Sequence, residues 1–411
     1  MKNKIIRFYA KNRIIILIIL LSLIIKIIYV VSVDTDKEFG DQSWYIELAK
    51  NLHDKNNFSR DGINPEINRN PLYPTILSIF YFFIKDFYLI AKLINILLGS
   101  LIPLILYKIS LIYFNKRTSK IVAFLSLIYP PFTIYSIYVL TEIFYTFLLL
   151  ISYYFLLKYI SNKRINYGVL AFVLLGFSTL TRGETFFLTI ILIVFLFFYD
   201  KKSNSRHLFI FAIIFLIILL PLSIRNYLVA DYFSPLEISG GPVNLWFALY
   251  KNICDKNKLI EYKDKYITKL TYKEQNAFYK NQIIDLLRKK PMIYVHTLIN
   301  NFKELFIGSH TVAIPKLNKL TFKESLNKKN YVFAFIKIVL FSFNIFITII
   351  GFLGMYLYRK NKFILILLLP FIFKVLLHAL TQGNARYLIP VYPFLLIFSA
   401  LSINKYINNG K

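Results

Sequence analysis

Apolar residues in this chain come in long unbroken runs, without the alternation of a half-buried strand or the one-sided stripe of a soluble helix. The runs fall at 14–33, 88–107, 121–139, 143–159, 167–181, 185–199, 208–224, 331–357, 363–380 and 387–403. A hydrocarbon core about 30 Å thick takes about 20 helical residues, so the pattern predicts an all-α polytopic membrane protein with about ten transmembrane helices. One further run, PLYPTILSIFYFFI at 71–84, is too short to cross comfortably and reads as an interfacial helix. Two long polar stretches interrupt the pattern, at 34–70 and at 225–330. Within the second, Phe278, Ile283, Leu286 and Leu287 recur at helical spacing and predict a helix over 272–290. The expected organisation is an N-terminal membrane module, 1–224, then a loop region, 225–330, then C-terminal membrane helices, 331–411.

Composition agrees: 57% of residues are hydrophobic and mean hydropathy is +0.56. The run Ile14 to Val33 exceeds a signal-peptide core and lacks a small-residue cleavage site, so it is expected to be an uncleaved anchor. The net charge of +29 would point to nucleic acid in a soluble protein, but here it decides topology. With 71–84 left uncrossed, the segments 1–13, 108–120, 160–166, 200–207, 358–362 and 404–411 all fall on one side. They hold nineteen of the 50 Lys and Arg against a single acid, Asp200. If 71–84 crossed, five of these six basic segments would move outside, against the positive-inside rule. So 71–84 is placed along the outer leaflet. Both termini are expected in the cytoplasm of a cell with its plasma membrane spanned, both polar stretches outside, and no nucleic-acid partner. Cys254 is the single cysteine, which excludes an intrachain disulfide, and His296, His310 and His378 are too scattered to define a metal site.

Acids are scarce and clustered. Eight of the 21 lie between Asp34 and Arg69, and outside the two polar stretches only Asp86, Glu142, Glu184 and Asp200 remain. Glu142 and Glu184 sit where helices meet the outer face, and a carboxylate there is costly unless paired or working in a polar cavity. A helix-start role for Thr141 or Glu142 is the plainer alternative. Lys26, Lys92 and Lys374 fall in the outer halves of their helices, with His378 one turn beyond Lys374. A lysine in the membrane costs about 2.5–3.5 kcal/mol on insertion scales, so several in one leaflet suit a shared anionic partner, although each alone could snorkel to the headgroups. Arg69, Arg182 and Arg386 cluster at the same level, and a guanidinium matches a phosphate in two-point geometry. In GDQSWYIELAKNL, 40–52, the pattern after Asp41 puts Trp44, Tyr45, Leu48 and Leu52 on one face of a short membrane-lying helix. Asp41 fits an N-cap or a general base, and local sequence admits both.

Four motifs in order resemble the GT-C glycosyltransferases that use polyprenyl-phosphate sugars, a group that includes protein O-mannosyltransferases and the lipid A aminoarabinose transferase. They are GDQSWYIELAKNL; NRNPLYPTIL at 68–77; YSIYVLTEIFYTFLLLISYY; and the set TLTRGE, LLPLSIRNY at 219–227 and ARYLIPVYPFLL at 385–396. The resemblance implies Asp41 as catalytic base of the first outer loop and Glu142 as a second acid. It implies Arg69, Arg386 and Tyr387 near the donor phosphate or sugar. Tyr45, Tyr73, Lys92, Arg182, Arg225 and His378 complete the candidate substrate-binding set. Gln42 departs from the group, many of whose members carry Glu there. The implied function is inverting transfer from a polyprenyl-phosphate sugar to a lipid, glycan or protein acceptor on the extracytoplasmic face, among membrane lipids. No cofactor is required by the motifs, and a divalent cation is compatible with them. Two rivals are a lipid-linked-glycan flippase, which should string polar residues through both leaflets, and a polymerase or ligase using a lipid-diphosphate donor.

Overall fold

The computed structural model describes residues 2–33, 40–199, 205–237, 240–254, 256–267, 270–308, 310, 313–314 and 321–409. Asp34, Asp36 and Glu38 of the acidic stretch, Asp200, and Ser239 lie outside the described residues. The described residues form helices α1 to α18 and an isolated bridge between Ser59 and Pro65.

Every long apolar run becomes a helix, and the residues at its ends explain its limits. The apolar parts of α1 (Lys2–Ser32), α4 (Phe87–Tyr113), α7 (Thr141–Asn162), α10 (Ser205–Ala230), α16 (Tyr331–Leu357) and α17 (Lys362–Leu380) are long and apolar enough to cross a membrane. α8 (Ile165–Thr181) and α9 (Thr185–Tyr199) are apolar but shorter. The Asp86 carboxylate accepts the Tyr88 and Leu89 N–H groups at the start of α4, and Asn330 and Asn361 cap α16 and α17 in the same way. The run at 121–139 is not one straight span. α5 (Lys116–Ile128) and the segment that begins with α6 (Pro130–Ile134) meet at 54°, because Pro130 and Pro131 have no N–H to continue the ladder. The last run also opens irregularly, with a 3₁₀ turn over Ala385–Leu388, before α18 (Tyr392–Asn409) resumes beyond Pro390. Six spans, or seven with the bent pair, therefore meet the length requirement where ten runs were expected.

α4, α5, α7, α8, α16 and α18 pack into one bundle whose core holds fully buried Tyr153, Phe172, Tyr392 and Phe394. Large apolar side chains such as Phe198, Phe209, Phe335 and Ile349 stay exposed on its flanks, as lipid contact demands and water would not allow.

At one end of the bundle lies a polar cap. α2 (Gln42–Lys55) packs on α3 (Leu72–Phe80), the shorter realisation of the expected interfacial helix, and a turn follows α3 before Asp86 starts α4. Phe80, Phe82 and Phe83 remain exposed there. α11 (Gly240–Tyr250), α12 (Lys256–Tyr262) and α13 (Tyr272–Lys289) gather around their own apolar cluster of Trp246, Leu249, Tyr279 and Ile283. Thr271 and Glu274 form a capping box at the start of α13, which matches the helix expected over 272–290. α14 (Met292–Ile307) joins this group to α16 and α17, and α15 (Phe322–Asn327) leads into α16. The two polar stretches meet at this same end: Asn70 donates to Glu237 at 2.9 Å, and Arg225 to the Phe58 carbonyl at 3.3 Å.

Candidate active site

The expected acids and arginines converge on one cavity in the polar cap. Asp41 stands at the N-cap position of α2, yet its side chain makes no capping hydrogen bond. Its carboxylate turns away from the helix instead: Oδ1 accepts from Arg69 Nη2 at 3.0 Å and Oδ2 from Arg386 Nη2 at 3.5 Å. Gly40 makes this possible. It has φ +66°, and a Cβ there would sit 3.0 Å from Arg386 Nη1, so glycine both permits the turn and leaves room for the guanidinium.

Behind Asp41, Glu142 is completely buried in the first turn of α7. Neither it nor Thr141 caps the helix. Oε1 of Glu142 receives Arg182 Nη2 and Arg386 Nε in close hydrogen bonds, and Arg182 Nε donates to Thr141 Oγ1 at 3.1 Å. Glu142 Oε2 is buried without a partner among the described residues. Arg386 thus bridges the two acids. Removing either member of such a buried pair leaves an uncompensated charge and costs about 3–5 kcal/mol.

A second group adjoins the first. Glu184 accepts from Lys374 Nζ in a close contact and from His378 Nε2 at 3.0 Å, and lies 3.8 Å from Arg182. The His378 ring stacks on Tyr387 with centroids 4.5 Å apart. The partner that the sequence demanded for Lys374 is therefore a protein carboxylate. Lys26 is likewise buried, but it lies elsewhere, against Gly99 of α4, and donates to Ser22 Oγ at 2.8 Å.

Asp41, Arg69, Arg182, Glu184, Arg386 and Tyr387 line a cavity of about 380 Å³, with Glu142 and Lys374 behind its wall. Tyr45 forms part of its wall and meets the buried Tyr73 edge-on at 5.6 Å. Tyr73 itself lies beneath the wall, where its hydroxyl accepts from Asn95 Nδ2 at 3.2 Å. Two candidates stand away from the cavity. Lys92 is half-buried on α4, and Arg225 ties the end of α10 to the Phe58 loop, with its guanidinium 5.2 Å from the Phe58 ring centroid. Gln42 is buried under the site, and its Oε1 accepts the Val139 N–H at 2.8 Å, fastening α2 to the loop that precedes α7. A neutral amide satisfies that role without adding another charge beside Asp41.

Glu237, in SPLEISGGP, was not singled out by the sequence reading. It lines this cavity and also a larger one of about 1000 Å³ between α2 with the 60–69 loop on one side and the α11–α13 group on the other. Its Oε2 accepts from Asn70, and it makes no ion pair within 4.0 Å among the described residues. Nothing local distinguished it from the other acids of the long stretch.

Electrostatics separates the acids outside the membrane spans. Burial raises the Asp41 carboxyl, but Arg69, Arg386 and Arg182 outweigh it and hold Asp41 below the usual aspartate range. Burial also raises Glu184, and Lys374 and His378 reverse the effect. For Glu237 burial prevails over Arg69 and pushes the carboxyl up to about 6. Among the described residues no cluster of three His, Cys, Asp or Glu side chains is arranged to hold a metal ion.

Comparison with known proteins agrees with this architecture. The family model described as dolichyl-phosphate-mannose-protein mannosyltransferase matches residues 68–224, which include Arg69, Glu142 and Arg182. The solved archaeal oligosaccharyltransferase AglB from Archaeoglobus fulgidus, in complex with an inhibitory peptide and a dolichol-phosphate, superposes with a TM-score of 0.55 at 16% identity. That superposition covers 98% of this chain and 51% of AglB, so the chain spans about half its length. ArnT from Cupriavidus metallidurans bound to undecaprenyl phosphate gives a TM-score of 0.47 at 13% identity, covering 97% of this chain and 79% of ArnT. No curated protein matches the sequence. The chain shares the fold of the part of AglB that it superposes on, in line with the fold that the resemblance of its motifs implies.

Proposed function

We propose that the protein is a membrane glycosyltransferase that moves a sugar from a polyprenyl-monophosphate donor to an extracytoplasmic acceptor. The observation that carries this reading is the cavity itself. Three arginines from three separate places in the chain, Arg69, Arg182 and Arg386, surround it with Asp41 at its edge and Glu142 behind. The dolichyl-phosphate-mannose description of the matching family and the dolichol-phosphate in the AglB complex support a lipid monophosphate as the ligand. The positive-inside count supports an extracytoplasmic position for the cavity.

In this structure the arginines are paired with Asp41, Glu142 and Glu184. A donor phosphate brings its own negative charge and competes with Asp41 for Arg69 and Arg386. As those guanidiniums turn to phosphate, Asp41 loses the charges that hold its pKa down and becomes a stronger base. The acceptor hydroxyl then attacks the anomeric carbon from the face opposite the phosphate. Its proton passes to Asp41, the new carbon–oxygen bond forms, and the bond to phosphate breaks with inversion. The charge gained by the departing lipid phosphate is stabilised by arginines already in place, and Glu142 keeps Arg182 and Arg386 aimed at it.

The test is transfer from a panel of radiolabelled polyprenyl-monophosphate and polyprenyl-diphosphate sugars to a membrane-glycan extract, by wild type and Asp41→Asn. Transfer from a monophosphate donor that collapses in the variant is the expected result. Transfer from diphosphate donors alone, or movement of lipid-linked sugar across liposomes without transfer, would overturn the reading.

A further inference from the structure

We propose that the larger cavity is the acceptor subsite, that its ligand is a neutral carbohydrate chain, and that Glu237 receives the hydroxyl groups of the unit to be glycosylated. This rests on the glycosyl-transfer reading above. The two cavities share Arg69, Glu237 and Asn244, so a ligand seated in the larger one meets the donor cavity at Glu237. At about 1000 Å³ against about 380 Å³, the larger cavity is at the upper end of small-ligand sites and has room for more than one sugar unit.

The chemistry of the wall selects the class. Its cations are committed elsewhere: Arg60 holds Glu47 at 2.7 Å, Lys263 lies over the Phe247 ring at 5.8 Å, and Arg69, at the junction with the smaller cavity, is the cation assigned above to the donor phosphate. Several acids face the same space, so a phosphate or carboxylate on the acceptor would be repelled. Of those acids, Asp61 is committed to its own turn, accepting the Ile63 and Asn64 N–H groups, and Glu66 accepts from Trp44 Nε1 and the Asn68 N–H. Glu237 differs from them. Its one hydrogen bond among the described residues is to Oε2, from Asn70, where Asp61 and Glu66 each accept on both oxygens. The Glu237 carboxylate and the Asn244 amide line both cavities, and together they offer acceptors and donors to hydroxyl groups. Trp44 cannot serve as a stacking platform, because Arg69 and Arg60 lie over its ring at 4.2 and 4.7 Å. Recognition therefore falls to polar contacts, with Glu237 at the reacting end.

The experiment uses full-length protein in nanodiscs. Wild type, Glu237→Gln and Glu237→Asp are applied to an array carrying neutral oligosaccharides, phosphorylated oligosaccharides and Ser/Thr peptides, with undecaprenyl-phosphate binding measured in parallel. Binding of neutral oligosaccharides that falls at least tenfold in Glu237→Gln and partly recovers in Glu237→Asp, with undecaprenyl-phosphate binding retained in both, is expected. Retained lipid-phosphate binding also shows that the variants fold. Binding of peptides or phosphorylated glycans in place of neutral ones, or neutral-glycan binding indifferent to Glu237, overturns the inference. Failure of wild type to bind undecaprenyl phosphate instead overturns the donor reading on which it rests.

Discussion

The two cavities that meet at Glu237 are built on opposite principles. The smaller is walled by the ends of α2, α8, α9 and α17, and its acids Asp41 and Glu184 are paired with cations. The larger is walled by α2, the 60–69 loop and the α11–α13 group, and its charge pair is more exposed; Arg60 and Glu47 are 50% and 42% accessible. Fixed charges on helix ends suit a ligand whose phosphate must always sit in one place. A polar rim on loops suits a ligand whose identity can change between relatives while the chemistry stays the same.

The comparison breaks most visibly at the base. Asp41→Asn should lower transfer by about 10²–10⁴-fold, the usual worth of a general base, and single-turnover assays measure it. Next comes the buried pair. Glu142→Gln strips Arg182 and Arg386 of their shared carboxylate and should cost about 3–5 kcal/mol, read as a drop in thermal midpoint of the detergent-purified protein.

A smaller effect sharpens the acceptor side. Glu237 faces Arg69, Arg182, Asp41, Glu184 and the Asn70 amide, and its carboxyl is raised to about 6. As pH falls through that value the carboxylate is protonated, while Asp41 and Glu184, held below their ordinary values, stay charged. Neutral-glycan affinity should therefore weaken several-fold from pH 7 to pH 5 in wild type and stay flat in Glu237→Gln, by titration of array binding. Least of all, Glu47→Gln removes an exposed ion pair and should change stability by at most about 1 kcal/mol in the same thermal assay.

What the sequence made legible follows from what is local. Apolar runs located every membrane helix, and the basic count kept 71–84 out of the span tally. Proline pairs at 130–131 broke one run that composition alone read as straight. Glu142, Arg182 and Arg386 were legible because acids and arginines at helix ends are costly, so each demanded a reason; His378 was read from its place one turn beyond Lys374, and Asp41, Arg69 and Tyr387 from the motifs that carry the resemblance. Lys374 also demanded a partner, but pairing Glu184 with a residue 190 positions away is a property of the packed bundle. Glu237 was hidden for the opposite reason: in a long polar stretch an acid needs no explanation until the fold buries it. Lys92 and Arg225 bore the same local marks as the site residues, and the fold gave them other surroundings.

The central claim is that a lipid phosphate takes the place of Asp41 on the arginines. The most direct measurement is equilibrium binding of undecaprenyl monophosphate to wild type, Asp41→Asn and Arg69→Gln in nanodiscs. The account predicts that Asp41→Asn binds at least as tightly as wild type, since a competitor for the guanidiniums has gone, and that Arg69→Gln binds about tenfold more weakly, as loss of one charge-assisted contact requires. Weakened binding in Asp41→Asn together with unchanged binding in Arg69→Gln would contradict it.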